Sequence, residues 1–159
     1  MTCKEGSTDL GIHFSYTGPD LNQGPLPAVL YFALSKKESL CTDPYNQPAI
    51  ALSTYPLRVF SLTLPCHDLG LSPDDSIKAL AKEMDEGKKP IETFIQKAQD
   101  CLTFLEKNSI LSRDKVGLMG LSRGGLIASH LAAKEPRIKY LLQFAPLTKT
   151  SYTDSFKHI

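Results

Sequence analysis

The chain has 159 residues, 42% of them apolar and 22% charged, with a formal net charge of +1. That balance argues against nucleic acid or an anionic membrane surface as the main partner, and no apolar run approaches the roughly 18 residues of a membrane span. Met1 to Leu10 lacks the apolar core of a signal peptide, so a single-domain cytoplasmic protein is expected. Cys3, Cys41, Cys66 and Cys101 are widely spread with no C-x-x-C pair, which suits reduced thiols better than a disulfide frame or a zinc site.

In chain order, Leu10 to Tyr16 alternates as a strand does, and Gly18-Pro19 and Gly24-Pro25 read as loop. Ala28 to Leu34 is a continuous apolar run, the pattern of a strand buried on both faces. Asp43 and Asn46 with Pro44 and Pro48 predict a helix start, with Ala49 to Tyr55 as its body. Arg58 to Leu64 predicts the next strand, stopping at Pro65.

Ser72-Pro73-Asp74-Asp75 is a capping start, after which Ile77, Leu80, Ala81 and Met84 share one helical face as far as Gly87. A longer helix follows from Pro90, its stripe of Ile91, Phe94, Ile95, Ala98, Cys101, Leu102 and Leu105 spaced by three and four. Val116 to Leu121, Leu126 to Lys134 and Ile138 to Ala145 predict strand, helix and strand. Strands alternating with helices imply a mostly parallel sheet with helices on both faces, a three-layer α/β/α domain over residues 1–159. Residues 1–9 and 148–159 are expected to be flexible tails.

Gly120-Leu121-Ser122-Arg123-Gly124-Gly125 joins the strand ending at Leu121 to the helix beyond it. This is a G-x-S-x-G elbow: a serine on a sharp strand-to-helix turn projects its Oγ clear of the backbone, and Gly120 and Gly124 remove Cβ atoms that would collide across the bend. Cys66-His67-Asp68 offers triad residue types in an unusable arrangement. Neighbouring side chains on an extended segment alternate in direction and cannot form a relay.

With these pieces in order the chain resembles the α/β-hydrolase superfamily, and within it the dienelactone-hydrolase and prolyl-oligopeptidase-like branches. Pro27 to Phe32 is similar to the strand before the oxyanion loop, Val59 to Leu64 with Pro65-Cys66-His67-Asp68 to the strand ending in a Pro-Gly-His-Gly-like turn, and Phe144-Ala145-Pro146-Leu147-Thr148 to the Ala-Pro-x-Thr ending after the elbow. The resemblance covers about residues 10 to 150, the front two-thirds of a usual domain, and so implies an incomplete, C-terminally truncated α/β-hydrolase fold.

The resemblance implies that Ser122 is the nucleophile and that the backbone N–H of Arg123 is one oxyanion donor, helped by the helix dipole. The second donor is expected from Ala33 or Leu34, although the usual glycines of that loop are replaced by Ala33-Leu34-Ser35-Lys36-Lys37. The histidines fit the role of base poorly. His130 lies about two helical turns beyond Ser122, His13 is in the early strand, and His158 is in the terminal tail. His67, at a strand end, is placed either to line a pocket or to stabilise its loop. Asp154 follows the strand ending at Ala145, where some family members place the acid; most place it one strand later.

Two functions follow. One is a serine hydrolase acting on an ester, thioester or small-peptide acyl group, expected to be incomplete or weakly active because no triad histidine is identifiable. The alternative is a non-catalytic fragment or binding module with a vestigial elbow. No cofactor or metal is expected, and the partners expected are a small-molecule acyl substrate but neither nucleic acid nor membrane. In the family two further strands follow the one matched by residues 138–145, and nothing beyond Pro146 has the apolar content to replace them. Tyr140, Leu141, Leu142 and Phe144 are therefore expected to be exposed, inviting a homodimer or a missing C-terminal portion.

Overall fold

The computed structural model describes residues 2–68 and 70–148. Its strands are β1 (Lys4–Ser7), β2 (His13–Thr17), β3 (Leu26–Phe32), β4 (Arg58–Ser61), β5 (Leu111–Leu121) and β6 (Ile138–Phe144). They form one sheet in the order β1-β2-β4-β3-β5-β6. The pairs from β4 through β6 are parallel, and the β1–β2 and β2–β4 pairs are antiparallel. Between them lie α1 (Glu38–Cys41), α2 (Gln47–Leu52), α3 (Pro73–Asp85), α4 (Pro90–Lys107) and α5 (Arg123–Lys134).

Both faces of the central strands β3, β4 and β5 are covered, as their apolar runs require. On one face Leu30, Phe32, Phe60 and Leu118 pack against Phe94, Ile95 and Leu102 of α4 and Ile127, Ala128 and Leu131 of α5. On the other, Tyr31, Val59 and Met119 meet Leu40 of α1 and Ala49 of α2. Helix α3 stands apart, packing Leu80 and Ala81 on Cys66 just beyond β4. The cap expected at its start is present: Ser72 Oγ accepts from the Asp75 N–H at 3.1 Å.

Several boundaries differ from the sequence expectation, β2, β3 and α2 by two or three residues at an end and four others more consequentially. The tail expected over residues 1–9 is corrected for Lys4–Ser7, which pairs with β2 through its backbone and so needs no apolar pattern. Strand β5 begins at Leu111, running through the polar Arg113-Asp114-Lys115. Helix α5 begins at Arg123, directly after the elbow serine. Strand β4 ends at Ser61, and Leu62 and Leu64 stay buried in extended chain beyond it. Residues 149–159, with Asp154 and His158, lie outside the described residues.

Arg58 anchors the end of the sheet opposite the elbow. Fully buried, its guanidinium donates to the carbonyls of Pro19 at 2.9 Å and Gly24 at 3.0 Å, and to those of Asp20 and Ile110. Burial lowers its pKa from the usual 12.5, yet the four carbonyls solvate the charge and tie the loop after β2 to the start of β5.

Under α1, Ser15 of β2 faces Ser61 of β4, both fully buried and neither hydroxyl with a partner among the described residues. Two desolvated hydroxyls without partners destabilise the fold, and removing both leaves no orphan behind. The double variant Ser15→Ala/Ser61→Ala is therefore expected to gain about 1 kcal/mol in urea unfolding; a loss of stability would show that the hydroxyls are satisfied.

Candidate active site

Strand β5 becomes helix α5 across one residue. Ser122 has φ 52° and ψ −117°, a conformation that L-residues rarely adopt and that the surrounding backbone holds in place. Its carbonyl accepts from the N–H groups of Gly125 at 2.9 Å, Leu126 at 3.2 Å and Leu147 at 3.1 Å, and its own N–H donates to the Phe144 carbonyl at 2.9 Å. The side chain is left exposed at the C-terminal edge of the sheet. The sharp strand-to-helix turn expected at this position is present.

The glycines are explained by distance. A methyl group on Gly124 would lie 2.1 Å from the Phe32 carbonyl oxygen, and one on Gly120 would lie 2.3 Å from the Gly124 carbonyl oxygen. These are backbone atoms and cannot turn aside. At Gly125 the added carbon would sit 3.0 Å from Pro146 Cβ, so the segment after β6 closes over the elbow. Gly124 on Phe32 also brings the end of β3 beside Ser122, as the strand order required.

The N–H of Arg123 opens α5 and has no place in the helix's own ladder, which leaves it available beside the Ser122 side chain. The Ala33 and Leu34 N–H groups point elsewhere. Both donate to Ser39 Oγ, at 3.2 and 3.0 Å, while Ser39 donates to the Ser35 carbonyl at 2.8 Å. Lys36 is paired with Glu5 at 2.7 Å, and its N–H donates to Thr63 Oγ1 at 3.1 Å. The loop that lacks glycine is thus tied to its neighbours.

Behind the elbow lies a polar cluster absent from the sequence reading. The Arg123 side chain, only 4% exposed, donates through Nη1 to the Ser76 carbonyl and through Nη2 to Ser76 Oγ, both at 3.0 Å. Burial lowers its pKa to about 10, against a smaller opposing effect of Cys66. Ser76 Oγ spends its one proton on the Pro73 carbonyl at 2.8 Å, so His67 Nε2, 3.4 Å away, must be the donor in that contact. His67 is therefore the neutral Nε2–H tautomer. Burial first, and the Arg123 charge second, bring its pKa down to about 4, only partly opposed by Glu38 and Asp68. Cys66, at φ 66°, is buried on α3, and burial followed by Glu83 raises its thiol pKa, the opposite of what a nucleophile needs.

The other candidates are not gathered here. His130 is exposed, eight residues along α5 and thus about 12 Å from Ser122. His13 stands on β2, three strands from β5, about 14 Å across the sheet. A cavity of about 850 Å³ opens between the chain after β4, the start of β2 and the start of α4; it touches Cys66, Asp68 and His13, but neither Ser122 nor His67 lines it. Among the described residues no group of three or more His, Cys, Asp or Glu side chains is placed to hold a metal, and no helix is long and apolar enough to cross a membrane.

The strand order, the two helical layers and the one-residue elbow define the class: a three-layer α/β domain with an exposed serine at the C-terminal edge of its sheet. No protein-family model and no curated protein matches the chain. Solved structures do. A dienelactone hydrolase-like promiscuous phosphotriesterase from metagenomic libraries is 16% identical, with a TM-score of 0.65 over 91% of this chain and 59% of that one. An α/β hydrolase from a Penicillium species is 15% identical, with a TM-score of 0.62 over 94% of this chain and 47% of that one. A cold-adapted esterase from an Arctic intertidal metagenomic library is 18% identical, with a TM-score of 0.59 over 89% and 58%. The chain is thus built on the α/β-hydrolase fold and spans less than two-thirds of the length of these neighbours.

Gly124→Ala is expected to destabilise the fold by about 3 kcal/mol in urea titration, because the added methyl meets a backbone carbonyl of the central sheet. A loss under 1 kcal/mol, well below the usual range for overpacking, would show that the elbow can open. His67 adds a pH dependence. Its folded pKa of about 4 lies below its ordinary 6.5, so the unfolded chain binds the proton more tightly between those values. The stability it confers is complete above pH 6.5 and is lost as the pH falls toward 4. His67→Gln keeps an N–H for Ser76 and cannot titrate, so its unfolding midpoint is expected to vary less with pH in that window. An unchanged slope would assign the acid sensitivity to other groups.

Proposed function

We propose that this chain is a serine hydrolase-type protein in which Ser122 attacks the acyl carbon of an ester, thioester or small peptide, with low turnover in the chain as it stands. The observation that carries the reading is Ser122 itself: exposed, held at φ 52° on the elbow, and followed at once by the N-terminus of a 12-residue helix. The cold-adapted esterase among the structural neighbours supports an acyl substrate. Four free thiols support a reducing, cytoplasmic setting.

In this mechanism Oγ adds to the acyl carbon as its proton passes to water, the adduct expels the alcohol, thiol or amine, which takes up a proton from water, and a further water hydrolyses the acyl-serine to the acid. The Arg123 N–H, at the positive end of the α5 dipole, takes up charge on the acyl oxygen. A second donor, from Ala33 or Leu34, becomes available when Ser39 Oγ releases it. The proton leaving Oγ needs an acceptor. His67 commits Nε2 to Ser76, while His13 and His130 stand too far away, so removal of the proton limits the rate. Asp154 keeps its place as the proposed acid.

The alternative, a binding module with a vestigial elbow, is favoured by one observation: both candidate N–H groups of the β3 loop are spent on Ser39. A fluorophosphonate probe separates the two. Labelling confined to Ser122 and lost in Ser122→Ala is the expected result, and absence of labelling would favour the binding module. Ser39→Ala frees two amides and is expected to label about tenfold faster, a conservative figure beside the hundredfold or more that one oxyanion donor contributes.

A further inference from the structure

The registers of β1, β2 and β4 carry Cys3 onto the face of the sheet that α1 covers. Glu5 lies opposite Ser15, and Ser15 opposite Ser61, in a row beneath α1, while Lys4, Tyr16 and Phe60 form the adjoining row on the other face. Side chains alternate along a strand, and cross-strand partners share a face. Continued by one residue, the β1–β2 register sets Cys3 beside Thr17, whose own partner is Val59, and so returns it to the α1 side. There Cys3 packs against the cluster of Tyr31, Leu34, Leu40 and Val59.

Cys41, the last residue of α1, packs against the same cluster from the helix side. The two side chains adjoin. Burial first, and the neighbouring Cys3 thiol second, hold the Cys41 thiol above its ordinary range, with Lys37 opposing them only in part. Cys3 and Cys41 are half-exposed, whereas Cys66 and Cys101 are buried, so a small oxidant reaches the first two and not the others.

Helix α1 is a single turn, and a turn of helix has little stability of its own. Its buried residues are Leu40 and Ser39, the latter two positions before Cys41 and the acceptor for the Ala33 and Leu34 N–H groups. We propose that Cys3 and Cys41 form a reversible disulfide, a staple between the start of β1 and α1 that holds Ser39 on the two loop amides. The bond closes a loop through β2 and β3, and it does not depend on whether Ser122 acts.

In a reducing setting both thiols stay free. With glutathione disulfide as the oxidant, Cys3 attacks one of its sulfurs, because Cys41 is held as the thiol, and the Cys3 proton passes through water to the departing glutathione. The Cys41 sulfur then displaces the second glutathione from Cys3 and yields its proton to it. Two protein thiols are oxidised, one glutathione disulfide is reduced to two glutathiones, and excess thiol reverses the exchange.

Incubation of the reduced, folded chain with glutathione disulfide is expected to remove the mass of two hydrogens, to give a Cys3–Cys41 peptide in the non-reduced digest, and to be reversed by dithiothreitol. Cys41→Ala is expected to stop at the mixed disulfide, gaining one glutathione at Cys3, and Cys3→Ala to remain unmodified over the same time. Oxidation is expected to slow amide hydrogen exchange at Ala33 and Leu34, read by NMR, by about tenfold, a small part of what a disulfide contributes to a whole fold, and to have no such effect in Cys3→Ala. A folded parent chain that keeps its four thiols, a bond to Cys66, Cys101 or a second chain, or glutathione retained on Cys3 of the parent would overturn the disulfide. A disulfide that leaves exchange at Ala33 and Leu34 unchanged would overturn its hold on Ser39.

Discussion

The constraint on which this structure depends is the approach of α5 to the sheet at Gly124, where the helix backbone stands against the Phe32 carbonyl with no room for a methyl group. That closeness sets the end of β3, the turn at Ser122 and the start of α5 at once. A strained residue such as Ser122 costs about 1–3 kcal/mol, and the three N–H groups converging on its carbonyl offset this at about 1 kcal/mol each. One of those donors is Leu147, beyond β6, so the chain on both sides of the elbow is bound to it. Local conformation, sheet packing and the placing of the exposed hydroxyl are one arrangement.

Two buried arginines hold opposite ends of the sheet, Arg58 solvated by backbone carbonyls and Arg123 by the carbonyl and hydroxyl of Ser76, and neither by a carboxylate among the described residues. A carbonyl binds a guanidinium only if the backbone carrying it is fixed, so each arginine orders a loop. Arg58 gathers the loop after β2. Arg123, carried by the elbow, gathers the first turn of α3 and through Ser76 fixes the tautomer of His67. The residue after the candidate nucleophile therefore also acts on His67: through Ser76 it fixes the Nε2 proton, and its charge adds to burial, the larger cause, in lowering the His67 pKa.

Much of this was legible from the chain alone, and the division follows the range of the interactions. The elbow was readable because its glycines and serine are neighbours in sequence and the steric demand is local. Helices α3 and α4 were readable from apolar spacing over three turns or more and from a Ser-Pro or Pro start. Strand β1 was not, because Lys4-Glu5-Gly6-Ser7 is held by backbone bonds that leave no apolar signature. Nor was α1, whose four residues are too few for any periodicity. The Arg123–Ser76–His67 cluster was hidden for another reason: its members are separated by nine and 47 positions, and no spacing rule links them. Ser39 could have been suspected only as a hydroxyl near a loop lacking glycine.

Ser39 Oγ does for the β3 loop what a substrate oxygen would do, accepting from two adjacent backbone amides at hydrogen-bond distance. Because this acceptor is built into the same chain, it acts at a high effective concentration that does not vary with dilution. In the oxyanion role proposed for this loop, an incoming carbonyl competes with a resident one-atom mimic of itself. Under that proposal engagement has a threshold set by how readily one serine side chain rotates, and ligands that place weak charge on their oxygen would fall below it.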